Sequence, residues 1–314
     1  MTIAGIFATL SLMMAPTAEQ PIVQIQQGAL MGRADAEVAS FKNIPYAASP
    51  AGARRWRPPG PAPRWRGERD ASTYGPLCIQ PPPSGDPGVG PLPMSEDCLN
   101  LNVWRPVTAT EPAPVMVWIH GGALNNGSGT AALYDGSHLA RDGVVVVTLN
   151  YRLGRLGFFD HPLLAAERPA GEAGGNYGLM DVIAGLKWVR ANIAAFGGDP
   201  ANVTIFGESA GGAIVTRLMI SPPARGLFDK AVIQSGLGRE FQTPLNAKDV
   251  RGLPSARERG EAWALGAGLR TAADLRAAPA QVFLTPSPVF ANGDLTLIDG
   301  KIVHDGGRTQ PVFN

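Results

Sequence analysis

The chain has 314 residues, a formal net charge of +1 and 45% hydrophobic residues. Its 39 Gly and 29 Pro stay under the roughly 25–30% share at which low complexity becomes the default, so disorder and collagen-like repeats are excluded and a large core is expected. A charge this close to zero excludes bulk attraction to nucleic acid or an anionic membrane as the basis of function.

The first 18 residues carry no charged side chain, and Ile3 to Ala15 is nearly continuously apolar. That run is shorter than the roughly 20 residues of a membrane span and suits the apolar region of a signal peptide. No Lys or Arg precedes it, and Pro16 stands where a cleavage site prefers a small residue. The segment is read as a signal peptide over 1–18, implying a secreted or periplasmic protein, with an ordinary buried segment as the alternative. From residue 21 to 314 the pattern is globular and is treated as one domain. Residues 48–93 are rich in Pro, Gly and Arg and are expected to be irregular. They include Cys78, which with Cys98 makes up the whole cysteine content. No His or further Cys lies nearby to complete a zinc set. Two readings of the pair remain open at this point. One is a disulfide, whose closed loop would stabilise by about 3 kcal/mol; the other is two buried thiols.

Short apolar runs then alternate with helical patterns. Val115–Ile119 and Val144–Leu149 are β-branched and uncharged, as buried strands are. From Asn176 to Phe196 the apolar residues Leu179, Val182, Ile183, Leu186, Val189, Ile193 and Phe196 recur at helical spacing, and Gly197-Gly198 stops the helix. Val203–Phe206 reads as a strand, Ala210 opens a second helix, and Ala231–Gln234 reads as a further strand. Strands alternating with helices predict an α/β fold with a largely parallel sheet.

Gly207-Glu208-Ser209-Ala210-Gly211 fits G-x-S-x-G between a predicted strand and a predicted helix. A Ser on so sharp a turn needs Gly two residues before and after it, because backbone crowds both sides. The turn exposes the hydroxyl and aims the helix amino end at a developing oxyanion. His120-Gly121-Gly122-Ala123 follows the strand Val115–Ile119 directly. A Gly-rich loop at the end of a strand presents bare N–H groups to an anion.

These residues closely resemble the type-B carboxylesterases, the α/β-hydrolase family that includes cholinesterases and para-nitrobenzyl esterases. The resemblance runs through Phe41–Pro59 (FKNIPYAASPAGARRWRPP), Tyr74–Gln80 (YGPLCIQ), Glu96–Val103 (EDCLNLNV), Asn150–Phe158 (NYRLGRLGF) and the segment from Asn176 to Gly212. It implies an α/β-hydrolase fold with a central, mostly parallel sheet flanked by helices. It further implies Ser209 as nucleophile and the N–H groups of Gly122, Ala123 and Ala210 as oxyanion donors, with no metal and no cofactor. It pairs Cys78 with Cys98, and it suggests structural ion pairs Arg55–Glu96 and Arg152–Asp181. Glu208 would line the site and tune it, and Ser235 matches a Ser near the triad His of some members. Two departures stand apart from the chemistry: Asn100 replaces a usual aromatic, and no second cysteine pair follows the elbow. The implied partner is a small-molecule ester. Nothing supports nucleic-acid binding or stable membrane insertion, and oligomeric state is not assigned.

A triad of this fold runs Ser, then Asp or Glu, then His. Of the four His, only His304 follows Ser209, in a stretch that resembles a family segment preceding the acid. The expectation is a chain truncated at its carboxyl end, lacking the triad acid and His, with an exposed sheet edge. Two alternatives are a short active enzyme using His304 with Asp294 or Asp299, and a non-catalytic binding or adhesion protein on a cholinesterase-like fold.

Overall fold

The computed structural model describes residues 20–82, 92–108, 111–236, 243–249, 252–284 and 297–303. A small three-stranded sheet of Ile22–Ile25, Gly28–Met31 and Glu68–Asp70 stands beside a seven-stranded central sheet. The central strands are β1 (Arg33–Ala34), β2 (Val38–Pro45), β3 (Asn100–Pro106), β4 (Ala113–Ile119), β5 (Val145–Leu149), β6 (Gly198–Glu208) and β7 (Lys230–Gln234). Their spatial order is β7-β6-β4-β5-β3-β2-β1.

The sheet is α/β-hydrolase-like but mixed. Its elbow half, β5-β4-β6-β7, is parallel as expected. Among the described residues the pairs β5–β3, β3–β2 and β2–β1 are antiparallel, so parallel pairing is concentrated around the elbow. β1 and β2 are joined by a tight turn that leaves no room for a crossover helix, so that pair is antiparallel. The turn is fixed by Asp35, whose carboxylate accepts from the Glu37 and Val38 amides.

β5 is buried along its whole length, as its unbroken β-branched run requires. Val147 and Ile205 flank Val117 in register, forming one row of the core. Among the helices that contribute to this core are α1 (Tyr177–Asn192) and α2 (Ala210–Leu218). The predicted helix to Phe196 is two elements: α1 is followed by a 3-10 turn over Ile193–Phe196, ended by Gly197 at φ 77°. A left-handed residue at that point costs Gly nothing. Among the described residues β7 pairs only with β6, and Val232 and Ile233 on it are 44% and 43% exposed.

Three polar devices tie loops to this core. Cys78 and Cys98 form a disulfide, with Cα atoms 4.9 Å apart. Arg55 makes a two-pronged contact with Glu96 and also donates to the carbonyls of Leu275 and Ala278, at the end of a helix over Ala272–Ala277. A cation there complements the helix dipole. Arg152 donates to both oxygens of Asp181 at 2.7 Å, with side chains 5% and 0% exposed. Burial pushes the Asp181 carboxyl up, and Arg152 opposes the shift. A fourth device was not legible in the sequence: fully buried Asp160 accepts from Arg168 and Arg257.

Breaking one partner of a buried pair strands a charge, so Arg152→Met should destabilise the chain by about 3–5 kcal/mol. Arg141→Met, which removes exposed contacts to Asp35 and Glu37, should cost no more than about 1 kcal/mol. Denaturant titration of the two variants checks the contrast.

His161 gives a pH dependence. Its Nδ1 accepts from the Leu163 amide and caps the helix Pro162–Ala166. Burial lowers its imidazole below the ordinary value, partly offset by Glu261 and Asp160. The unfolded chain therefore takes up this proton first as pH falls. Stability is full above about pH 6.5 and is lost toward the lowered folded value. The melting temperature should fall more between about pH 7.5 and about pH 5.5 in the wild type than in His161→Asn. Equal falls would contradict this role.

Candidate active site

β4 and β6 are parallel neighbours, so both release their loops at the same end of the sheet. Gly207 lies opposite Ile119 in that pairing, and the two motifs meet there. Ser209 sits at φ 54°, ψ −121°, a conformation that ordinary residues avoid. The surrounding hydrogen bonds hold it: its amide donates to the Gln234 carbonyl at 2.9 Å, and its carbonyl accepts from the Ala213 amide at 2.9 Å.

The glycines are required by contact. A Cβ on Gly207 would lie 2.6 Å from the Gly211 carbonyl carbon, and one on Gly211 would collide with the Ile119 carbonyl oxygen. A Cβ on Gly121 would lie 2.8 Å from the Glu208 carbonyl oxygen and 3.2 Å from the Ser209 Cβ. The oxyanion loop is thus seated directly against the elbow. Its backbone is held open by three consecutive positive φ values, at Gly122 (102°), Ala123 (51°) and Leu124 (55°).

Within the described residues, the N–H groups of Gly122 and Ala123 donate to nothing in the chain. Ala210 opens α2, so its N–H has no acceptor one turn back. The three donors expected from the sequence are left available for a negatively charged oxygen. His120 stacks on Tyr151 with ring centres 4.3 Å apart, and its Nδ1 lies 2.8 Å from the Gly121 carbonyl oxygen. The Tyr151 hydroxyl donates to the His120 carbonyl, and burial pushes that phenol far above its ordinary range, so it stays a donor.

Glu208, Gln234 and Ser235 line a cavity of about 550 Å³ whose other walls include Trp118, Leu133 and Phe206. Ser235 shares the positive φ of the elbow, at 51°. Within the described residues no imidazole or carboxylate is hydrogen-bonded to the Ser209 hydroxyl. His304 and Asp294 lie outside the described residues. Asp299 has one oxygen accepting from the Lys301, Ile302 and Val303 amides and the other from the Asn176 side chain. Sequence reasoning missed Gln80, which grips the oxyanion loop from a distance of 47 residues. No periodicity marks such a residue.

A sheet parallel around a strained Ser, with open amides facing it from the next strand, defines an α/β-hydrolase. The chain belongs to the carboxylesterase family, whose model matches residues 19–253. It is 49% identical over 220 residues to para-nitrobenzyl esterase of Bacillus subtilis (strain 168), covering 69% of this chain and 44% of that protein. It is 45% identical over 243 residues to fumonisin B1 esterase of Sphingopyxis macrogoltabida, covering 76% of this chain and 44% of that one. A solved PNB esterase superposes with a TM-score of 0.79 at 40% identity, covering 90% of this chain and 58% of its own. The chain thus spans less than half the length of the curated relatives it matches and somewhat more than half of the solved one.

A methyl group on Gly211 has no space beside Ile119, so Gly211→Ala should destabilise by about 1–3 kcal/mol or more. Gly266→Ala, in open space within the helix Ala256–Gly266, should be neutral or stabilise by up to about 1 kcal/mol. Thermal unfolding of both variants reads the difference.

Proposed function

We propose that this chain carries the nucleophile and oxyanion hole of a carboxylic ester hydrolase that works through an acyl-serine intermediate. One observation carries the reading: Ser209 is strained on an elbow directly against a loop whose Gly122 and Ala123 amides are uncommitted. The Ser209 oxygen attacks the ester carbonyl carbon, and the carbonyl oxygen takes the negative charge toward the amides of Gly122, Ala123 and Ala210. The alcohol leaves with a proton, and water then releases the acid. Both proton transfers need a base and an acid that orients it. Our reading places these outside the described residues, since no imidazole there engages Ser209. Glu208 and Ser235 line the adjoining cavity, where they would tune the base. Trp118 and Phe206 in the same cavity favour an ester with an apolar acyl or alcohol part. Export from the cytoplasm is part of the proposal. The Cys78–Cys98 disulfide and the apolar run before Pro16 support it.

A fluorophosphonate tests the reading. An oxyanion hole without its base retains about 10³-fold acceleration over water. Slow modification of Ser209 is therefore expected, absent in Ser209→Ala and accelerated by added imidazole. No Ser209-dependent modification would contradict the proposal and favour a binding protein. Rapid modification without imidazole, lost in His304→Ala, would restore His304 as the base.

A further inference from the structure

Gln80 is 1% exposed and lies far from Ser209 in sequence, yet its side chain is committed to the oxyanion loop. Its Oε1 accepts from the Gly127 amide at 2.8 Å, and its Nε2 donates to the Gly127 carbonyl at 3.0 Å. One side-chain amide therefore pairs with both backbone groups of a single residue, as a neighbouring strand would. The same Nε2 also donates to the Cys78 carbonyl at 3.1 Å, so Gln80 is held at its own root. Cys78 is in turn fastened to Cys98, two residues before β3.

Gly127 is where a grip has most effect on the loop. Its φ is 106°, and a Cβ there would collide with the His120 ring and lie 2.6 Å from the Gly121 carbonyl oxygen. The far end of the loop therefore folds back onto its beginning. Inside that closure the Gly122 carbonyl accepts from the amides of Asn125 and Asn126, which points the Ala123 N–H of the same peptide plane the other way. The Leu124 carbonyl accepts from the Gly154 amide at 2.7 Å. Of these restraints, Gln80 is the side chain that fixes Gly127. Removing it leaves a buried N–H and a buried carbonyl without partners.

We propose that Gln80 is a positioning residue for the oxyanion hole, anchored by the Cys78–Cys98 disulfide and acting through Gly127 on the Gly122 and Ala123 amides. The inference rests on the acyl-serine reading for its chemical consequence, and on hydrogen-bond geometry alone for the clamp itself. Displacing amides from a developing oxyanion by a fraction of an ångström lowers reactivity without lowering ground-state binding.

The test uses Gln80→Leu, which removes both bonds to Gly127, and Gln80→Glu, which keeps the acceptor and loses the donor. Two quantities are read on the full chain: amide hydrogen exchange in peptides covering residues 120–127, and the fluorophosphonate rate constant at Ser209 per folded molecule. Gln80→Leu should speed exchange in that segment at least about tenfold while α1 is unchanged, and slow phosphonylation about 10- to 100-fold. Gln80→Glu should move both in the same direction by less, and it decides the matter if Gln80→Leu does not fold. Unchanged exchange in residues 120–127 overturns the clamp. A rate constant within about twofold of wild type beside altered exchange overturns the positioning role. A wild-type chain that refuses the reagent counts against the acyl-serine proposal, and the exchange measurement then decides the clamp alone.

Discussion

Everything at this site depends on one close approach of two backbones, where the Ile119 carbonyl at the end of β4 lies against Gly211 at the start of α2. Because no side chain fits between them, strand, turn and helix are locked into a single geometry, and Ser209 is forced into its unfavourable conformation. The strain is held by bonds from both sides, to Gln234 on β7 and to Ala213 in α2. The same approach brings the loop after β4 against the elbow, since Gly121 packs on Glu208 and Ser209. Ser209 and the loop that carries the Gly122 and Ala123 amides are therefore set by one contact rather than by two separate constructions.

Around that contact the chain builds restraint in layers. The parallel half of the sheet supplies a rigid base, with Val147, Val117 and Ile205 in register beneath the site. Tyr151 and His120 brace one end of the oxyanion loop, and Gln80 braces the other. The disulfide and the Arg55–Glu96 and Arg152–Asp181 pairs fix the irregular segments that carry these braces. Pairs of this kind give little net stability relative to apolar packing, but they specify where a loop sits. On the opposite side of the elbow, among the described residues, β7 pairs only with β6 and carries exposed Val232 and Ile233, and Glu208 and Ser235 line a cavity.

The parts legible in the sequence are those set by local sterics. G-x-S-x-G and HGGA carry their meaning in the residues that must lack a side chain, and the β-branched run of β5 and the spacing of α1 read directly. The resemblance supplied the disulfide and two ion pairs, and all three are present. What could not be read is long-range. The antiparallel half of the sheet depends on which strands find one another, and β2 alternates too irregularly to announce itself. Asp160 gathers Arg168 and Arg257 from distant segments. Gln80 sits in a Pro-rich stretch where nothing about its spacing marks a partner.

On the proposed reading this chain by itself preorganises Ser209 against the Gly122, Ala123 and Ala210 amides, independently of the base. The most direct measurement is peptide-resolved mass spectrometry after exposure to an activated acetate ester. On this reading one acetyl group on Ser209 persists, since among the described residues no base is positioned to activate the water that would remove it. Acetylation scattered over surface lysines, with Ser209 unmodified, would contradict it.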